Sequence, residues 1–418
     1  MMLSTIMKGL LLATVVGPSL AMGMFNASSM AAGSLGVSLL YVCIFMAMWN
    51  NDRPLRGLAS WVVLVVVGTG VLYFQGAYSF FAYSAFDYDR FSKSHVLLIV
   101  YTLGAYCFVA LACRMPSKDV DGSIRFVFWI LIFSAISGLV RFSPFFPEAA
   151  FKSVLFYGEP SHFAIDFLPV LLYMVVRSSG LVKIALLIAS LSLSLLLENL
   201  TLLVGLTLIF CITIPPRLLL RMLPLLPVAI LVILSVDFEY YAERLDLSSS
   251  TSNLSALVYM QGLERAYLNL VETGGFGTGF QQFGIVGSTG EVLEKIKLLI
   301  GYEANLLDGG AVAQKFIGEF GVLGLLCVSV YLGYFLRSAK WLFKESASVV
   351  AKADPRDVFF HSCFVTYVID LLIRGEGYFS SSGFLFFAAL FFLFLKPFTS
   401  AQLGLATVCW PTTGSPGE

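Results

Sequence analysis

The chain has 418 residues and a mass of 45.7 kDa; 58% of it is hydrophobic, 12% is charged, and its mean hydropathy is +0.87. A soluble domain carries about 25% charged residues, so this composition excludes one and points to an all-α, polytopic integral membrane protein. Lys and Arg balance Asp and Glu at 26 each, so nothing in the net charge points to nucleic acid, and seven scattered cysteines with no CxxC give no thiolate metal site.

Spans are placed where about 15 to 23 largely apolar residues run together, enough to cross a ~30 Å hydrocarbon core. The first runs from Lys8 to Phe25. It resembles a signal peptide, with Ser19-Leu20-Ala21 as a cleavage site, but another span follows closely, so an uncleaved helix is expected. The next are Ala31 to Trp49, Leu58 to Phe80, His95 to Cys113 and Phe126 to Val140. The sixth opens at Ser161 and ends at Val176. The seventh and eighth, Leu181 to Leu197 and Leu200 to Ile214, flank a tight turn at Glu198-Asn199. A ninth covers Met222 to Val236. A long polar loop follows, and the last three spans are Phe316 to Leu336, Val358 to Ile373 and Ser382 to Lys396. The chain thus divides into helices one to nine (1-236), the long loop (237-312), helices ten to twelve (313-398) and a tail (399-418).

Charge orients these twelve spans. With the N-terminus inside, the inner segments hold most of the Lys and Arg. The short outer loops hold only Arg90, Lys93, Arg141, Lys152 and Arg374, a positive-inside bias. Both termini are then inside, and 141–164, 237–312 and 374–381 share the outer aqueous phase. No ATP is available there, so a substrate must arrive already activated.

The stretch Gly158-Glu159-Pro160-Ser161-His162 concentrates a carboxylate, a hydroxyl and an imidazole in a chain with three histidines. Pro160 biases Glu159 away from helical geometry and suits the first helical turn itself. The exposed N–H groups of that turn favour an anion. Glu159 is a candidate general base, its pKa raised by partial burial, and His162 is either a second base or a phosphate ligand. The bland alternative is a polar helix cap. Asp166 lies one turn beyond His162 and either orients the imidazole or caps a polar face.

In the long loop an amphipathic stretch around Leu263 to Val271 ends in Gly274-Gly275-Phe276-Gly277-Thr278-Gly279. Gly277 and Gly279 could expose N–H groups to a phosphate, or form a plain turn. Arg265, and next Arg244, suit a phosphate because Arg pairs bidentately and keeps its charge. Glu319 falls in the first turns of the tenth span, where an ionisable group is costly and marks function by default. Asp370 could pair with Arg374 at i,i+4, or Arg374 could face substrate, with Tyr378 close behind. No GxSxG, HExxH or metal-ligand spacing occurs.

The residues Gly158 to Ala164, the loop ending Gly275-Phe276-Gly277-Thr278-Gly279-Phe280, Lys315 to Gly321, and Ile373-Arg374-Gly375 with Tyr378 together resemble the Wzy-type O-antigen or exopolysaccharide repeat-unit polymerases, in the same order along the chain. The family's arginine-to-glycine spacing differs here, since Phe276 stands where the pattern after Arg265 has glycine. The resemblance implies a type C glycosyltransferase fold in the bacterial inner membrane with its active site facing the periplasm. It implies transfer of the growing chain from undecaprenyl diphosphate to the next lipid-linked oligosaccharide repeat, with a chain-length regulator protein as a further partner. It places Glu159, His162 and Arg265 in catalysis, and Arg244, Gly277, Gly279, Glu319, Arg374 and Tyr378 in substrate binding. No cofactor or metal is expected. Two rivals stand beside it. An O-antigen ligase would use a histidine in the long loop, which has none. A transporter or flippase would need broken helices at the midplane or charges deep in several spans.

Overall fold

The computed structural model describes residues 2–27, 29–48, 56–146, 153–215, 238–248, 251–348 and 353–394. The regular structure among these residues is helical, with only isolated β-bridges at Val154–Tyr157 and Phe283–Val286. In chain order the helices are α1 (Met2–Met24), α2 (Ala31–Ala47), α3 (Arg56–Ala82), α4 (Tyr88–Arg114), α5 (Ser117–Leu139), α6 (Pro160–Arg177), α7 (Gly180–Leu196) and α8 (Leu200–Thr213). Then come α9 (Phe238–Leu245), α10 (Leu254–Glu272), α11 (Glu291–Ile300), α12 (Val312–Ala347), α13 (Pro355–Leu372) and α14 (Ser381–Phe394). Five of them, α1, α3, α4, α5 and α12, are long and apolar enough to cross a membrane, and α2, α7, α8 and α14 are shorter apolar helices. The ninth expected span lies outside the described residues.

Two helices form the centre. In α6 every residue from Phe163 to Val176 is buried, and α13 is nearly as enclosed. A helix apolar on all sides belongs in the interior; these two pack on each other, with α8, α5, α12 and α14 around them. By contrast α3 packs chiefly on α4 and exposes Val62, Val63, Val66, Val67 and Phe74, an apolar face that suits lipid. The N-terminal helix is part of the core. Leu11 and Val15 are buried, and Thr14 hydrogen-bonds Tyr41 of α2 at 2.8 Å.

The long polar loop is folded. It holds α9, α10 and α11, with α10 packed on α12. Helix α12 is broken at Gly321 (φ 59°, ψ −133°). A residue in that conformation carries no α-helical bond pattern, so the carbonyls just before it need other donors. The glycine-rich segment supplies them. Thr278 N–H donates to Gly318 O at 3.1 Å, Gly279 N–H to Glu319 O at 2.9 Å, and in return Val322 N–H donates to Gly275 O at 2.8 Å. A Cβ at Gly277 would overlap the Glu319 carbonyl, and one at Gly321 would overlap that of Gly275. The backbone approach therefore requires glycine on both sides.

Candidate functional site

Three segments distant in sequence meet at one end of the bundle. They are the turn before α6, the folded loop 251–311 and the turn 373–380 between α13 and α14. Arg374 Nη2 donates to Glu159 Oε2 at 2.8 Å, Tyr259 Oη donates to the Leu372 carbonyl at 3.0 Å, Gly375 N–H donates to Gly310 O at 2.8 Å, and Tyr378 Oη donates to Glu319 Oε2 at 2.8 Å.

Glu159 is the N-cap of α6, extended at φ −135°, with Pro160 as the first helical residue. That is the geometry a pre-proline residue prefers. Its carboxylate, 50% exposed, takes Arg374 and also the Ser161 hydroxyl at 3.1 Å. Burial pushes the Glu159 carboxyl up, but the charges of His162 and Arg374 and the Ser161 hydroxyl outweigh it, so the group lies below the usual carboxylate value. This corrects the expectation of a raised pKa: an opposite charge in contact favours the ionised form. A base so held is weak until Arg374 moves away.

His162 sits in the first turn of α6 with Nδ1 enclosed and unpartnered. The contact expected from Asp166 is not made. Asp166 is 0% exposed and neither carboxylate oxygen has a partner. The two hydroxyls facing it, Tyr157 and Ser381, donate to the Val15 carbonyl instead, at 3.3 and 3.1 Å. The expected i,i+4 pair of Asp370 with Arg374 is also absent. Asp370 accepts the Glu376 N–H at 2.9 Å and the hydroxyl of Ser382. For Asp370, tertiary partners have displaced the local one.

Glu319 is fully buried and satisfied, taking Tyr378 on one oxygen and the Phe283 N–H on the other at 3.3 Å. It holds the two turns together. The Gly277 N–H goes to Thr273 Oγ1 at 2.7 Å, and that of Gly279 to the broken helix. These donors are committed, so the expected phosphate cradle is not formed by them. Gln75 of α3, which sequence reasoning missed, donates to the Phe276 and Glu319 carbonyls from the other side. A lone amide in the apolar third span was the available signal.

Arg265 is enclosed at 1% exposure. Gln261, Arg265 and Asn269 share one face of α10 at i, i+4 and i+8. Arg265 Nη1 reaches the Leu306 carbonyl at 3.3 Å, and the guanidinium lies 5.8 Å from the Phe283 ring centroid. Its Nε and both side-chain amides have no partner. Burial lowers the pKa of Arg265, against the pull of Glu303 and Glu264. Arg244 lies half-buried on α9. The pair that does meet the convergent turns, also missed, is Lys315 with Asp308 at 2.8 Å. Lys315 is 3% exposed and lies 4.9 Å from the Tyr378 ring centroid.

Below these turns runs an apolar groove of about 410 Å³ between α3, α4, α12, α13 and α14. Phe316, Phe320, Tyr331, Phe364 and Phe386 form much of its wall, and Phe280 and Tyr378 close its loop end. Tyr378 thus belongs both to the groove and, through Glu319, to the polar cluster. No family model matches the chain, and no curated protein or solved structure matches it either.

Proposed function

We propose that this chain is a twelve-span glycosyltransferase of the inner membrane that polymerises undecaprenyl-diphosphate-linked oligosaccharide repeats on the periplasmic face. The observation that carries this reading is the apolar groove ending at a polar cluster. A polyprenyl chain gains about 0.8 kcal/mol for each CH₂ it buries, and the groove offers it an aromatic wall. Its diphosphate then lies among the convergent turns, where Lys315 and Arg374 supply charge. Such positive groups stabilise the negative charge that develops on the leaving group. In this reading Glu159, released from Arg374, takes the acceptor hydroxyl's proton, with His162 beside it. Arg265 acts from behind, holding the loop that carries the glycine segment.

The test is polymer formation in a polymerase-deleted bacterium of the cognate serotype. The unmutated chain should restore a ladder of long glycans on surface lipopolysaccharide. Glu159→Ala, His162→Ala and Arg374→Ala, each checked for expression, should leave single-repeat glycan on the lipid core, which shows that ligation is intact. A full ladder from all three variants places the site elsewhere.

One observation favours a second reading, transport of an amphiphile. Asp166 and Asp370 are fully buried in spans and α12 is broken at Gly321, features a transporter uses. Both acids lie within two turns of the loop end of their helices, however, and the deletion background separates the readings. Failure of the unmutated chain to restore any ladder favours transport.

A further inference from the structure

Behind the Glu159–Arg374 pair lie three carboxyls that the transfer outlined above leaves unused. Asp166 is on α6, Asp370 on α13 and Glu376 in the turn that follows. They repel one another, and Asp370 is tied to the Glu376 backbone at 2.9 Å. Both oxygens of Asp166 and both of Glu376 are enclosed without a partner. The charged and titratable groups whose fields reach them are Arg374 and Glu159 at the turn, and the hydroxyls of Tyr101, Tyr157, Tyr331 and Tyr367 within the bundle. Arg374, the cation among these, is already held by Glu159.

Three ionised carboxylates without a counter-charge are several kcal/mol uphill in such a place. A carboxylic acid needs an acceptor for its O–H; the Tyr157 and Ser381 hydroxyls that face Asp166 donate to the Val15 carbonyl and keep lone pairs that can accept it. Among the described residues no three His, Cys, Asp or Glu side chains are placed to hold a metal ion.

We propose that Asp166, Asp370 and Glu376 form one shared-proton site, with Glu376 as the member that exchanges protons with the Glu159–Arg374 turn. Glu376 is two residues from Arg374 and interacts with both Arg374 and Glu159. Burial, and then Asp166 and Asp370, push its carboxyl well above the ordinary value. The site's role as a proton sink rests on the transferase reading. The acceptor oxygen bonds to the anomeric carbon as the bond from that carbon to the diphosphate oxygen breaks, its electron pair leaving with the diphosphate. The hydroxyl proton passes to Glu159 and on through Glu376 to the shared site, and returns to solvent before the next transfer.

The test labels the full chain in membrane vesicles with dicyclohexylcarbodiimide, followed by peptide mass mapping. The reagent adds across a protonated carboxyl in an apolar site and rearranges to a stable N-acylurea. At neutral pH the adduct should appear on the three buried acids and not on Glu159. In Glu376→Gln one repelling charge is gone, so labelling of Asp166 and Asp370 at alkaline pH should fall by about tenfold, equivalent to about 1.4 kcal/mol of lost repulsion. Asp166→Asn, read on Glu376, provides the same test should the first variant not fold. Absence of adduct from all three acids, labelling of Glu159 to the same extent, or labelling of each acid that ignores loss of its neighbour would overturn the proposal. A chain that labels as expected yet restores no ladder leaves the shared site standing and removes the transferase reading.

Discussion

Two breaks at the same end of the bundle carry buried acids and treat them in opposite ways. At Gly321 the helix opens, and the glycine segment takes the Gly318 and Glu319 carbonyls and the Val322 N–H; Glu319 beside it receives two donors on its carboxylate. At the turn after α13 the chain also leaves the helix, but the carboxyls of Glu376 and Asp166 receive none. An unmade buried hydrogen bond costs about 1–3 kcal/mol. The first break is therefore an architectural joint, and the second leaves those two acids without a donor from the protein.

Substitutions can break that comparison. The largest effect is expected from Gly321→Ala. It combines a left-handed φ with overlap on the Gly275 carbonyl, and should cost about 3 kcal/mol or more, seen as loss of folded protein in detergent or a large drop in melting temperature. A melting point near that of the parent would show that the joint does not depend on glycine. Glu319→Ala comes next, at about 2–3 kcal/mol, since it strands the Tyr378 hydroxyl and the Phe283 N–H. Glu319→Gln should cost less, because an amide oxygen can still accept.

Glu376→Gln should go the other way, neutral or stabilising. The sign follows from its raised pKa. The folded state holds that proton more tightly than the unfolded chain, so stability declines as pH rises from the ordinary carboxylate value toward the folded one. The variant should flatten the high-pH limb of a melting-temperature profile; an unchanged limb would mean that Glu376 is not the group responsible. The smallest stability effect belongs to Arg374→Gln, within about 1 kcal/mol for a half-exposed pair. Glu159 lies below its ordinary pKa, so the pair's contribution is present above the unfolded value and is lost only as pH falls through the lower, folded one. The same substitution should abolish the glycan ladder, so that stability and polymer yield separate. A ladder that survives would confine Arg374 to structure.

The sequence is most legible where the signal is local. Apolar runs locate the described apolar helices but not their polar ends, since α5 starts at Ser117 rather than Phe126 and α12 runs on past Leu336 to Ala347; Pro160 sets the start of α6, and Asn199 caps α8 through the Leu202 N–H. Convergence of the three polar segments also follows from the charge pattern, and the Glu159–Arg374 contact, 215 residues apart in sequence, realises it. What is not legible depends on partners chosen in space. Asp166 and Asp370 each had a plausible partner four residues away, yet neither uses it, because helices α6 and α13 pack on each other and on Ser382 and Glu376. The folding of the long loop hides for a related reason. Its helices α10 and α11 bury only modest apolar faces, and polar residues such as Gln261 and Arg265 point inward. The break at Gly321 hides because glycine in an apolar span is ordinary.

The joint at Gly321 also divides the wall of the groove. Phe316 and Phe320 lie on one side of it, Val328 and Tyr331 on the other. The glycine segment grips both arms, at Gly318 and Glu319 on the short one and at Val322 on the long one, and Glu319 ties the short arm to Tyr378 as well. A change of angle at one residue therefore alters the bore of the groove and the position of the loops above it in a single stroke. Whatever occupies the groove and whatever occupies the turns would each feel the other through that lever, with no second part between them.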